Sequence, residues 1–258
     1  MVRIKVLPLS EHVLANVPPA TLRTRRLFGG EMSVDISRSS THRLIYLEGE
    51  RMVPEAALAA SLVQQGKPAI DVGANIGYYL LLLKQAGASP VICVEPIAAN
   101  LVDLRRVAEG LGNVEIVEAA VAARPGRLRM VTGMNGLVRA DGDCDVDAVT
   151  LNQIAPVGTG FVKIDVEGYE RSVLEGAHEM LERDRPNLFV EIHPPFVADP
   201  QDVSAIIEQL RQLYGRVEFY GNPLNDRGRL RVARRFGAHS PAHLAEPPDD
   251  IFWIAARG

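Results

Sequence analysis

The sequence predicts a doubly wound α/β fold, with a mostly parallel sheet of seven strands, an antiparallel edge, and an N-terminal cap. Three observations lead there. Short apolar runs alternate with helical patterns through most of the chain, the signature of parallel strands joined by crossover helices. Residues 69–79, AIDVGANIGYY, read as a buried strand entering a Gly- and Asn-rich turn and then a helix. The last two apolar runs have no helical pattern between them, which suggests an antiparallel pair at one edge.

Taken in order, residues 1–65 are expected to be a cap and residues 66–258 the main domain. Pro18-Pro19 and Gly29-Gly30 break the cap into short pieces. Within it Met32–Ile36 and Arg43–Leu47 are expected to pair as a hairpin, and Pro54–Gln65 is helical in pattern through Ala56, Leu58, Ala59 and Leu62. The expected strands are Ala69–Val72, Val91–Glu95, Val114–Ala120, Phe161–Val166, Asn187–Ile192, Arg216–Tyr220 and Ile251–Ala255. The expected helices are Ile76–Gln85, Ala98–Glu109, Glu170–Leu181 and Asp202–Leu213. In the last of these Val203, Ile206, Ile207 and Leu210 make one apolar stripe, with Asp202 as N-cap and Gly215 as stop. Roughly forty residues separate the third strand from Phe161, longer than a common crossover. Gly126–Thr132 is expected to add a strand there, and Asn135–Asp147 to loop over the sheet edge.

Composition removes several function classes. A hydrophobic fraction of 47% and 258 residues allow a sizeable core. A net charge of −4 argues against nucleic-acid or membrane-surface binding by electrostatic field. Cys93 and Cys144 make no disulfide framework, which with the absence of an apolar leader at MVRIKVLPLS points to a reducing, cytoplasmic setting. A homo-oligomer is left open.

The 69–79 turn lets backbone approach a ligand closely, because Gly lacks a Cβ and Asn tolerates left-handed dihedrals. Glu95 closes the next strand, where a ribose is held by its hydroxyls. The dinucleotide fingerprint G-x-G-x-x-G is not met: the pattern is Asp71-x-Gly73-x-Asn75-x-Gly77. That pattern, with Glu95-Pro96, resembles the first motifs of class I S-adenosylmethionine-dependent methyltransferases, whose Rossmann-like sheet is the one expected here. The stretch FVKIDVEGYERSVLEGA, residues 161–177, resembles the hallmark of the FkbM family through Lys163, Asp165, Glu167, Gly168, Glu170, Leu174, Gly176 and Ala177. Asn100 and Glu191-Ile192-His193 extend the likeness over roughly residues 45–195. The chain departs from the family at Glu118-Ala119-Ala120, where Asn is frequent, and at Asn152, where Asp is common.

The resemblance implies methyl transfer from S-adenosyl-L-methionine, usually to a hydroxyl of a small molecule such as a sugar, glycoside or polyketide-type natural product. It assigns the methionine end of the cofactor to Asp71, Gly73, Ala74, Asn75 and Gly77, the ribose to Glu95 and Pro96, the adenine side to Glu118 and Ala119, and the edge of the site to Asp165. Ligands of doubly wound sheets bind beyond the carboxyl ends of the strands, so the catalytic candidates are Asp165, Glu167, Glu191 and His193. His193 is the natural base by intrinsic pKa. Each has a structural alternative: Lys163 could pair with a carboxylate, Glu167-Gly168 could cap and turn into the helix, and His193 before Pro194-Pro195 could be a loop residue. Asp165, Glu191 and His193 could instead hold a divalent cation such as magnesium, but the spacing assigns no metal site. The basic run Arg227, Arg229, Arg231, Arg234 and Arg235 is read as solvated. His12, His42, His178, His239 and His243 share no ligand spacing. An N-methyltransferase, a macromolecule-directed enzyme, a nicotinamide-dependent oxidoreductase and a non-catalytic descendant stay as alternatives.

Overall fold

The structure, a computed structural model, describes residues 18, 21–50, 53–132, 136–199, 201–221, 242–247 and 251–258. The basic run at 227–235, His12 and His239 lie outside them. The main sheet contains eight strands among the described residues. Five are parallel: β3 (Ala69–Val72), β4 (Val91–Val94), β5 (Val114–Val117), β10 (Phe161–Ile164) and β11 (Asn187–Ile192). Against β11 lies β14 (Phe252–Arg257), antiparallel, then β12 (Arg216–Gly221) and β13 (Ala242–Leu244). The edge is therefore three strands rather than the expected pair, and β13 was not anticipated. The chain runs outward from β3 to β5 and returns to β10 beside β3. That reversal opens a crevice at the carboxyl ends of β3 and β10, where such sheets bind ligands.

Period-two alternation divides the core between the two faces of the sheet. On one face Ile70, Val72, Val162, Ile164, Leu188 and Val190 pack with Val173, Leu174, Met180, Leu181, Ile206 and Leu210. These last come from the helices α6 (Glu170–Glu175), α7 (His178–Asp184) and α8 (Gln201–Leu213). The single helix expected over 170–181 is thus two, broken at Gly176-Ala177. A Cβ on Gly176 would lie 2.0 Å from the Ala122 carbonyl oxygen, so only glycine permits that approach. Asp202 lies inside the first turn of α8 and pairs with Arg171 at 2.5 Å, while Asp199 accepts from the Gln201 N–H.

The other face is covered by α3 (Tyr78–Gln85), α4 (Ala98–Ala108) and the N-terminal segment. That segment contains a hairpin of β1 (Leu22–Leu27) and β2 (Gly30–Asp35), then α1 (Ser40–Glu48) and α2 (Val53–Leu62). The hairpin is earlier than expected, and 43–47 is helical: Ser39 accepts from the His42 N–H and starts a helix that a short apolar run alone could not distinguish from a strand. Leu27, Met32, Val34 and Ile36 join Leu80–Leu83 and Phe161 in one cluster. Asp103 on α4, 1% exposed, pins this layer by its ion pair to Arg38 (2.5 Å), and is held within α4 by Arg106 (2.6 Å).

The insertion before β10 is a second sheet in the order β6 (Ala120–Val121), β9 (Cys144–Val149), β7 (Gly126–Val131), β8 (Leu137–Val138). Strand β7 falls where one was expected. The segment expected to loop carries β8 and β9 instead. Val146 and Ala148 are buried while Asp145 and Asp147 alternate with them outward. Among the described residues no helix is long and apolar enough to cross a membrane.

Candidate active site

Gly73 leaves the end of β3 with φ 77°, and a Cβ there would stand 2.0 Å from the Asp165 carbonyl oxygen. Two backbone segments therefore touch at the mouth of the crevice, which explains glycine at this position. Asn75 (φ 50°) and Gly77 (φ 91°) complete the left-handed turn into α3. The Gly73 and Ala74 N–H groups both donate to the Val94 carbonyl at 3.0 Å, tying the turn to β4.

Glu95 locks this turn from the end of β4. Its Oε2 accepts from the Asn75 N–H at 2.9 Å, and its Oε1 accepts from the Ile97 N–H at 2.9 Å and from Asn100 Nδ2 at 3.2 Å. Burial raises its pKa, opposed by those three hydrogen bonds. A carboxylate offers about four acceptor positions, so one remains for a ligand hydroxyl. Gly73, Glu95, Pro96, Ala119 and Asp165 line an open cleft, walled also by Met130 and Val138 of the second sheet. An acidic acceptor, a glycine cradle and an apolar wall fit the nucleoside of S-adenosylmethionine.

Several expected residues stand elsewhere. Asp71 is 0% exposed and faces Lys163 Nζ at 3.1 Å, beneath the turn rather than on the cleft wall. Ala74, Asn75 and Gly77 shape the turn from behind. Glu118 is exposed and pairs with Arg105, and of the two Ala119 alone lines the cleft. Sequence reasoning missed Met130, Val138 and Tyr169, which also line the cleft. No local signal marks them, since the second sheet brings the first two.

Lys163 lies in register with Asp71 across β10 and β3. Its ammonium is 3.5 Å from Asp165 Oδ2, 3.3 Å from the Gly73 carbonyl oxygen and 4.8 Å from the centre of the Tyr79 ring. Burial lowers its pKa, but the Asp71 and Asp165 charges outweigh that and hold it above the ordinary lysine value.

A second cluster forms where the ends of β10 and β11 meet. Glu167 has φ 55°, and at Gly168 (φ 96°) a Cβ would stand 2.5 Å from the Phe196 carbonyl oxygen. Glycine thus admits the 194–196 turn, and that turn carries His193 to Glu167. His193 Nε2 is 3.5 Å from Glu167 Oε2 and from Glu191 Oε1, and Nδ1 is 3.6 Å from Glu170 Oε1. Burial lowers the His193 pKa, but the nearby Glu170, Asp165, Glu191 and Glu167 carboxylates raise it to about 9. Burial, then the Asp165 charge, push Glu191 up to about 8, while His193 opposes them. All four catalytic candidates therefore converge, and the surrounding acids favour the protonated form of His193. Glu170, which the sequence marks as part of the FkbM-like motif but not as a site residue, belongs to the cluster. Of the other histidines, His42 lies 3.5 Å from Asp103 in the cap, His178 pairs with Glu182 and His243 with Glu218.

The sequence profile described as the Methyltransferase FkbM domain matches residues 71–217. Among solved structures the chain is similar to an FkbM methyltransferase from Methylobacillus flagellatus KT, with 18% identity and a TM-score of 0.52 over 86% of this chain and 51% of that one. It is also similar to M. jannaschii TYW2 in complex with AdoMet, with 12% identity and a TM-score of 0.54 over 93% of this chain and 87% of that one. At these identities the likeness is one of fold, the class I methyltransferase fold. The chain spans about half the length of the Methylobacillus protein. No curated protein matches it.

Proposed function

Because the chain belongs to the FkbM family of methyltransferases, we propose that it transfers the methyl group of S-adenosylmethionine to a hydroxyl oxygen of a small molecule of the sugar, glycoside or polyketide kind. The observation that carries this reading is the double position of Asp165. It lines the cleft with Gly73 and Glu95, and it also belongs to the cluster with Glu167 and His193. Donor and acceptor regions therefore meet at one residue.

When bound, S-adenosylmethionine supplies a methyl carbon already activated by its sulfonium. What this chain adds is alignment and a destination for the acceptor proton. Glu95 takes a ribose hydroxyl at its remaining acceptor position. Glu191 receives the acceptor proton, since its raised pKa is nearer that of an alcohol than an ordinary carboxylate's is. His193, whose Nε2 lies 3.5 Å from Glu191 Oε1, helps to position it. One observation favours a second reading: Glu167, Glu170 and Glu191 around His193 would also attract a cationic amine.

Calorimetric titration with S-adenosylhomocysteine tests the cofactor assignment. Glu95→Ala is expected to weaken binding by about 1–3 kcal/mol, and absence of binding by well-folded wild-type protein would sink the reading. An acceptor panel of polyols, glycosides and amines, with the methylated atom located by mass spectrometry, then separates oxygen from nitrogen transfer.

A further inference from the structure

We propose that Asp165, Glu167 and His193 form a divalent-cation site that holds the acceptor oxygen beside the methyl donor. Its purpose rests on the methyl-transfer reading, but its existence does not. Each residue offers one ligand atom, and these atoms lie within 4.8 Å of one another. His193 Nε2 stands 3.5 Å from Glu167 Oε2, too far for a charge-assisted hydrogen bond of about 2.7–2.9 Å. Around a cation with bonds of about 2.1–2.3 Å, neighbouring ligands of an octahedron lie about 3.0–3.3 Å apart and opposite ones about 4.2–4.6 Å. A small closure brings the three groups into that range.

The surroundings of the imidazole point the same way. His193 is 4% exposed, and its Nδ1 makes no hydrogen bond. Behind that nitrogen stands Glu170, 0% exposed, with its Oε1 at 3.6 Å and its Oε2 without a hydrogen-bond partner. A buried carboxylate at the back of an imidazole is the arrangement that orients a metal-bound histidine. Two carboxylate oxygens and one nitrogen suit Mn²⁺, Fe²⁺ or Zn²⁺ better than Ca²⁺. Three protein ligands leave open positions for the acceptor oxygen and water.

Held there, the acceptor hydroxyl is acidified by the cation. Its proton passes to Glu191, the oxygen–carbon bond forms, and the carbon–sulfur bond breaks with its electron pair remaining on sulfur. The products are the methyl ether, S-adenosylhomocysteine and a proton on Glu191. The assignment separates the acids by role: Asp165 and Glu167 bind, Glu191 accepts.

Mn²⁺ alone is the probe, measured by electron paramagnetic resonance on chelator-treated, full-length protein, beside S-adenosylhomocysteine titrations on the same samples. Bound Mn²⁺ with a nitrogen modulation in the spin-echo signal is expected. The modulation should vanish in His193→Gln, Mn²⁺ affinity should fall at least about tenfold in Glu167→Gln, and both variants should keep S-adenosylhomocysteine binding. Absence of Mn²⁺, Mg²⁺ and Zn²⁺ binding by protein that takes up S-adenosylhomocysteine overturns the site, and so does Mn²⁺ binding that both substitutions leave unchanged. Protein that binds Mn²⁺ through His193 but not S-adenosylhomocysteine keeps the cation site and fails the methyl-transfer reading.

Discussion

Lys163 holds two carboxylates of different standing. Asp71, 0% exposed, faces it at 3.1 Å, while Asp165 reaches it at 3.5 Å and keeps part of its surface on the cleft. The ammonium thus fixes the floor of the 73–77 turn and the residue that borders both the cleft and the His193 cluster. Removing one partner of a buried pair leaves the other charge uncompensated. Lys163→Met is accordingly expected to destabilise the fold by about 3–5 kcal/mol in urea unfolding, and adding Asp71→Asn to recover much of that loss. A double variant no more stable than the single would mean that Asp71 is not the charge Lys163 compensates. The sequence marks Lys163 as a lysine in want of a carboxylate, but not which one. That depends on parallel register between β10 and β3, which no local pattern encodes. Glu118 stands off the cleft for a related reason: strand position alone could not tell that Arg105 on α4 pairs with it.

Elements follow legible rules where one periodicity dominates and fail where two compete. The strands β3, β4, β10 and β11 are mostly apolar runs, with Asp71, Lys163 and Glu191 as their interior polar positions, and they stand close to where they were expected. Strand β9, CDVDAV, was read as loop because Asp is poor in strands. Its alternation with buried Val146 and Ala148 was the better signal. Asn152 caps a helix, but not its own. Thr150 and Gln153 form the capping box of the helix Leu151–Ile154, while Asn152 Oδ1 accepts from the Met180 N–H in α7. The functional counterpart is the glycine turn at 168. Gly168→Ala forces φ 96° on a residue with a Cβ and drives that Cβ against the Phe196 carbonyl oxygen at 2.5 Å. The strain of about 1–3 kcal/mol is relieved by moving the 194–196 turn, and His193 with it. Methyl transfer is expected to fall more than about tenfold, while S-adenosylhomocysteine binding, which uses the other side of the cleft, holds. Equal loss of both would place the damage in the general fold.

At the scale of the whole molecule, the cluster at the ends of β10 and β11 ties stability to pH. His193 is faced by Asp165 and Glu167 from the loop after β10, Glu170 from α6 and Glu191 from β11. Its pKa rises from an ordinary 6.5 to about 9, so its contribution to stability is complete below pH 6.5 and is lost as pH climbs through 9. Glu191 rises from 4.5 to about 8. Over that interval the folded chain keeps a proton that the unfolded chain releases, and stability again falls with pH. The two signs agree, because both groups make the native state bind more protons than the unfolded one. In the presence of chelator the thermal midpoint is expected to decline between about pH 6 and 9, with His193 alone contributing on the order of 3 kcal/mol. For a chain of this size that is about 6–12 °C. His193→Gln should flatten the upper part of the decline, and a midpoint that rises with pH would show that no imidazolium is held there. Glu191 must lose its proton to receive one from the acceptor, so turnover is expected to climb across the window in which the fold weakens. The group that prepares the site for chemistry is then the one whose ionisation the folded state resists.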